Sequence, residues 1–330
     1  MSAFRRFLLK RIAISIGLVL VATSVIFFVL RMLPGSPFTM LFTSGNIGPE
    51  KQQEILELYG LTEPLWKQYL LYVKNMLTLQ FGYSIQSSAS VWSIIGPKLL
   101  NTLILLVPAL VTTAILSSAA GMYAGWNRGS KFEKTSIVVS TFFRSTPIFI
   151  SGLLFLILFA YTLDIFPPFG MRSVTAAPTG LADTYLSTDF LYHYMLPFST
   201  AVLYYSGDFL LLARNGVVEK KGSEFLQLHK AKGLTEFEQL ARAGRNTMLP
   251  LLTYFALRLG MIFQGLILLE VVFGWPGIGQ ELVNAIAQQD YPLVQASVFI
   301  MALAVIVMNL VADIMYAYFD PNVNASGGSV

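Results

Sequence analysis

The sequence predicts an all-α integral membrane protein with six transmembrane helices, and three observations carry that prediction. Of 330 residues, 55% are hydrophobic and only 12% are Asp, Glu, Lys or Arg, half the ~25% charged fraction usual in soluble domains. Apolar runs long enough to cross a bilayer recur along the chain. The basic residues cluster in alternate connections between those runs. This composition excludes a disordered chain, a basic nucleic-acid-binding domain and an ordinary soluble enzyme. With no cysteine, there is no disulfide framework, thiolate nucleophile or cysteine metal site.

A spanning helix needs about 20 mostly apolar residues. The first run, 12–30, lies uncharged between Arg11 and Arg31. It is too long for a leader's apolar stretch and lacks a small-residue cleavage site, so it reads as a retained anchor. The others are 102–126, 137–163, 193–213, 249–272 and 293–319. The third contains Arg144 and then Pro147, which moves its expected start later.

Basic residues mark the cytoplasmic side. Arg5, Arg6, Lys10 and Arg11 precede the first span, and Arg128, Lys131 and Lys134 join the second to the third. Between the fourth and fifth come Arg214, Lys220, Lys221, Lys230, Lys232, Arg242 and Arg245. The facing 164–192 connection has only Arg172, so both termini are expected inside. The long first loop is expected outside. Within it, apolar residues at helical spacing from Pro49 to Leu79 predict two short amphipathic helices over the bundle mouth.

The inside loop 214–248 is far longer than the two to eight residues a helical bundle needs. Its middle is helix-forming, with Phe225, Leu226 and Leu228 as apolar knobs between lysines. Such a helix suits a groove on a soluble partner; lying flat on anionic lipid is the alternative.

Several blocks of the chain resemble the permease subunits of binding-protein-dependent ABC importers, specifically the B-type of dipeptide, oligopeptide and nickel systems. They are Arg31-Met32-Leu33-Pro34-Gly35-Ser36-Pro37, Tyr59-Gly60-Leu61, Phe81-Gly82-Tyr83-Ser84, Ala231-Lys232-Gly233-Leu234, Glu270-Val271-Val272-Phe273-Gly274-Trp275-Pro276-Gly277-Ile278-Gly279 and Asp290-Tyr291-Pro292. They cover nearly the whole chain in the family's order. The resemblance implies a type I ABC importer transmembrane-domain fold, with residues 1–95 an N-terminal span plus outside segment, 96–320 the permease domain and 321–330 a short cytoplasmic tail. It implies a second homologous permease subunit, two ATP-binding subunits and an extracytoplasmic solute-binding protein as partners. It makes the inside loop the ATPase-coupling segment, carried by Glu224, Phe225, Leu228, His229, Ala231, Lys232, Gly233 and Leu234. The wider class has Glu-Ala-Ala-x-x-x-Gly there; this chain reads Gln227-Leu228-His229 at the first three positions and Gly233 at the last. Trp275, Pro276, Gly277 and Gly279 are expected to form an extracytoplasmic turn.

No G-x-x-x-x-G-K-[ST] phosphate loop is present, so ATP and Mg would be bound by partner subunits and this chain needs no cofactor. His193 and His229 fall on opposite sides of the predicted membrane and cannot share a metal; no H-E-x-x-H pair or G-x-S-x-G elbow occurs. The chain reads as a non-enzyme.

Charges inside spans mark a path or a pair. Glu270 and Asp313 belong to the resembling blocks and read as fixing helix ends. Asp208 lies about 9 Å from Arg214 by helical rise, and Arg258 about 12 Å past Pro250, which puts them at similar depth on consecutive spans. The resemblance places uncharged residues at both positions. The two are expected to pair, either across the translocation path or facing the partner permease, and with Gln264 they are the path candidates. The substrate implied is a di- or oligopeptide, with oligosaccharides or nickel as alternatives. An ion-coupled secondary transporter using Asp208, Glu270 or Asp313 is the rival of another class.

Overall fold

Helices account for nearly all of the described residues, and glycines and prolines set where they stop. The computed structural model describes residues 3–32, 63–173, 180–261 and 265–319, with Glu50, Gln53, Glu57 and Phe263 besides. In chain order the helices are α1 (Ala3–Met32), α2 (Leu65–Leu77), α3 (Val91–Trp126), α4 (Lys131–Ser145), α5 (Ile148–Phe155, running on as a π-helix over Leu156–Thr162) and α6 (Leu181–Leu186). Then follow α7 (Thr188–Lys221), α8 (Glu224–Ala231), α9 (Glu236–Gly260), α10 (Leu266–Phe273), α11 (Ile278–Ala287) and α12 (Tyr291–Phe319). Among the described residues, strand geometry is limited to one isolated bridge, Tyr83 to Ser90.

The all-α membrane class stands, but the predicted helices are redrawn. Among the described residues four helices (α1, α3, α7 and α12) are long and apolar enough to cross a membrane, and α4 with α5 makes a fifth if that bent pair is one span. The pair is bent by 112°. Pro147 lacks an N–H and pushes Thr146 into extended geometry (φ −88, ψ 131), which stops α4 one residue earlier. The predicted span 249–272 is not one helix. α9 ends at Gly260, Gly265 takes φ +78, and α10 restarts at Leu266. A left-handed residue cannot sit inside a right-handed helix. Gln264 lies outside the described residues. Of the two amphipathic outside helices, α2 is described; the other falls largely outside the described residues.

α7 extends eight residues beyond the predicted end of span four, reaching Lys221. The predicted 35-residue inside loop is therefore mostly helix, and only 222–235 joins α7 to α9.

The chain divides into two compact units, one of residues 1–102 and 276–310, the other of 103–275 and 311–330. In the first, α2 packs on the C-terminal end of α1: the Ser24 and Tyr69 hydroxyls share a hydrogen bond of 2.7 Å, and the Arg31 guanidinium bonds Gln68 while lying 4.8 Å from the Phe27 ring centre. Tyr72, Met76, Phe81, Val91, Ile95, Ile278 and Phe299 complete a buried core with Phe27. In the second, α3, α4 and α9 pack on α7. A Cβ on Gly121 of α3 would lie 2.2 Å from the Leu210 carbonyl oxygen of α7, and one on Gly125 would lie 2.6 Å from that of Arg214. Small residues let backbones approach where lipid supplies no hydrophobic drive between helices.

Gly121→Ala should therefore push α3 off α7 and cost about 1–3 kcal/mol by overpacking, read as a lowered melting temperature of the purified protein. Gly17→Ala, where a Cβ meets nothing within 4 Å, is the matched control. Equal stability of the two variants would contradict the close packing.

Candidate functional site

The segment 222–235 folds as an elbow. Gly222 ends α7, and α8 begins at Glu224. At its far end the Leu234 N–H donates to the His229 carbonyl (3.2 Å) and the Gly233 N–H to that of Lys230 (3.0 Å), with Gly233 at φ +79. This is the Schellman arrangement, which consumes orphan carbonyls at a helix end and calls for glycine at the left-handed position. Two residues on, Thr235 and Glu238 form a reciprocal capping box that starts α9. The Thr235 backbone N–H, then its hydroxyl, hold the Glu238 carboxyl below its ordinary pKa.

α8 has two faces. Leu226 is buried with Trp126, Val217 and Ala243, and Met122 and Leu240 pack on that cluster. His229, one turn on, is also buried. Burial and the charges of Arg242 and Lys232 push its pKa below the ordinary value. Arg242 Nη1, which can only donate, lies 3.4 Å from His229 Nε2, which accepts. The opposite face carries Glu224, Leu228 and Ala231, all exposed, with Lys232 and Gly233 beside them; Leu234 is half-buried. Leu226 is thus an anchor rather than the outward knob expected, because it lies about 200° around the helix from Leu228. The side chain of Phe225 is outside the described residues. Phe237 in the first turn of α9, 78% exposed, is a further apolar residue next to the elbow in sequence. A bare Phe inside the Thr-x-x-Glu box was the signal for it.

Two ties fix α7 beneath the elbow. Lys221 Nζ bonds the Trp126 carbonyl at the end of α3 and lies 4.9 Å from that ring's centre. Arg214 Nε bonds Glu133 Oε1 at 2.8 Å, while Glu133 Oε2 accepts the Gly129 N–H at 2.5 Å.

Asp208 and Arg258 meet, as their similar depth predicted. Arg258 Nη2 bonds Asp208 Oδ2, and the Tyr254 hydroxyl donates to the same oxygen at 2.5 Å while accepting from Arg258 Nε at 2.5 Å. The sequence reading missed the third partner. Arg144 Nε, at the end of α4, reaches Asp208 Oδ1 at 2.7 Å. Its signal was a charge inside a predicted span, read only as displacing the span's start. Asp208 is 12% exposed, Arg258 29% and Arg144 50%.

The expected outer turn is closed in the same manner as the elbow. α10 ends with the Trp275 N–H on the Glu270 carbonyl (2.8 Å) and the Gly274 N–H on that of Val271 (3.2 Å), Gly274 having φ +56. Trp275 is fully buried, its ring centre 6.0 Å from Phe190 and 5.9 Å from Tyr194. In the other unit, the Pro276 carbonyl accepts from Asn101 Nδ2 at 2.9 Å, Gly277 precedes α11, and Gly279 is buried in its first turn. There too Asp290 draws two resembling blocks together, its Oδ2 accepting from the Ser84 hydroxyl at 2.5 Å.

Residues 117–325 match the family described as binding-protein-dependent transport system inner membrane component, and residues 4–106 match its N-terminal membrane-component family. The chain is 30% identical to the dipeptide transport system permease protein DppB of Escherichia coli (strain K12) and 31% identical to the di/tripeptide transport system permease protein DppB of Pseudomonas aeruginosa (strain UCBPP-PA14). Each comparison covers 96% of this chain and 98% of the relative. It is 29% identical to the glutathione transport system permease protein GsiC of Escherichia coli (strain K12), over 96% of this chain and 97% of that one. The chain belongs to the binding-protein-dependent inner membrane component family, the permeases of ABC importers. It is a multi-pass membrane transport component, and the family is not one of enzymes.

The geometry of the charge cluster ranks three variants. Asp208→Asn leaves two guanidiniums facing each other and should cost roughly 3 kcal/mol. Arg258→Gln leaves Asp208 paired with Arg144 and should cost least; the double variant should fall between. Arg144 thus reverses the order a simple pair implies, in which removing Arg258 alone does most harm. Thermal denaturation of the purified variants tests the ranking, and Asp208→Asn emerging as the mildest would sink it.

Proposed function

We propose that this permease takes up di- or oligopeptides delivered by an external solute-binding protein, in a complex with a second homologous permease and two ATP-binding subunits. The observation that carries the reading is the end-to-end similarity to peptide permeases from two organisms. Both termini face the cytoplasm, which the basic residues at 5–11, 128–134 and 214–245 support. ATP and Mg are bound by the partner subunits, since this sequence carries no phosphate loop.

The elbow is the coupling element in this reading. Glu224, Leu228 and Ala231 face outward with Lys232, Gly233 and Phe237, and an apolar helix face of that kind fits a groove on a soluble subunit. Leu226 and His229 act from behind, fixing the helix to its own bundle. Closure of the ATPases on ATP pushes α8 and turns the permease outward; hydrolysis lets it return. The charge cluster lies on the path the solute takes.

Leu228→Asp and Phe237→Asp should each leave membrane abundance intact, yet lower ATPase co-purification and ATP-dependent peptide uptake about tenfold or more. Uptake is measured in inside-out-controlled vesicles with ATP and with an imposed ion gradient. Uptake driven by the gradient alone, unchanged by either substitution, would replace this reading with an ion-coupled transporter.

A further inference from the structure

The cluster around Asp208 does not balance. Arg144, Arg258 and Asp208, on α4, α9 and α7, sum to one positive charge. Both carboxylate oxygens are engaged: Oδ1 takes Arg144 Nε, and Oδ2 takes both Arg258 Nη2 and the Tyr254 hydroxyl. A guanidinium has five N–H donors in a fixed fork. Among the described residues Arg144 spends only Nε on a partner, so its terminal edge is left open on a side chain that is 50% exposed. The depth is about 9 Å inside Arg214 by helical rise. Arg144 cannot swing out to the membrane surface without giving up Asp208, and an uncompensated guanidinium fixed at that depth belongs on a water-filled interior rather than against lipid.

The paired edge of a guanidinium matches a carboxylate in geometry and charge. We propose that Arg144, positioned by Asp208, is a transient binding station for the carboxylate of the passing solute, which for a peptide is its C-terminal group. Asp208 has two roles here. It orients the fork by holding Nε, and it halves the positive field of the two arginines, so that the carboxylate is attracted without being trapped. Tyr254 and Arg258 keep Asp208 in place from the other side. The proposal rests on the peptide reading above and names the part of the peptide that this chain recognises.

The test uses the whole importer in proteoliposomes, with both permeases, the ATPases and saturating binding protein. Uptake of trialanine is compared with that of trialanine amide, which lacks the carboxylate. The binding protein's own preference between them is common to all variants and cancels. Arg144→Gln should lower the acid-to-amide uptake ratio about tenfold or more, the loss of charged hydrogen bonds to the solute. Arg144→Lys keeps the charge but not the fork and should lower the ratio less. It also provides the reading if the Gln variant fails to accumulate. A ratio unchanged in Arg144→Lys and Arg144→Gln, whatever happens to total uptake, overturns the station and leaves Arg144 structural or facing the partner permease. Wild-type vesicles that import neither peptide overturn the peptide reading itself, and this inference with it.

Discussion

A single carboxylate joins three helices, α4, α7 and α9, two of which are interrupted. Asp208 receives Arg144 from the end of α4, where Pro147 breaks the bent span, and Tyr254 with Arg258 from α9, six and two residues before that helix stops at Gly260. Helix association in a bilayer gains little from apolar contact, because lipid is equally apolar. Polar junctions and close backbone approach must supply what hydrophobicity supplies in water. Both occur here side by side. A Cβ on Gly207 would stand 2.9 Å from the Ser140 carbonyl oxygen and 3.0 Å from the Arg144 Cβ. The glycine beside Asp208 is what lets α4 come near enough for Arg144 to reach it.

The second constraint is that interrupted helices must close their own ends. Around the elbow and the outer turn, Gly233 and Gly274 do so by the same pair of bonds, one from the glycine and one from the residue after it. Both glycines belong to blocks of the sequence that resemble one family. Their common physical reason is the left-handed conformation: any other residue there would pay the steric cost of a Cβ facing the carbonyl. The glycines are therefore fixed by helix termination, whatever the surrounding side chains touch.

The class was legible from composition alone, and the helical break at the elbow from its glycine. Asp208 and Arg258 were legible because a charge in an apolar run is conspicuous and helical rise gives its depth. Arg144 was visible but misassigned, since its role depends on a 112° bend that a linear hydropathy pattern cannot represent. The pattern also treats 249–272 as one apolar stretch; the interruption at Gly260 to Gly265 is set by backbone conformation, to which hydropathy is blind. Leu226 was assigned to the wrong face because three apolar residues in a four-residue window cannot all point one way. Only the contacts with Trp126 and Val217 decide which of them is the anchor.

The elbow and the charge cluster are linked by α7. From Asp208 to Lys221 is thirteen residues of unbroken helix, about 20 Å. Along that length Arg214 is tied to Glu133 and Lys221 to the end of α3, and tight glycine contacts hold α3 against the same face. The first half of α9 is held as firmly: a Cβ on Gly216 would lie 2.3 Å from Thr247 Cγ2. Beyond Pro250 the ties are fewer. Proline removes one backbone bond, the helix stops at Gly260, and the Asp208 cluster is the polar link that holds this stretch to α7. In the coupling proposed above, a displacement entering at α8 would be carried by α7 as a rigid rod and taken up where α9 is weakest. The charged residues stand at that joint.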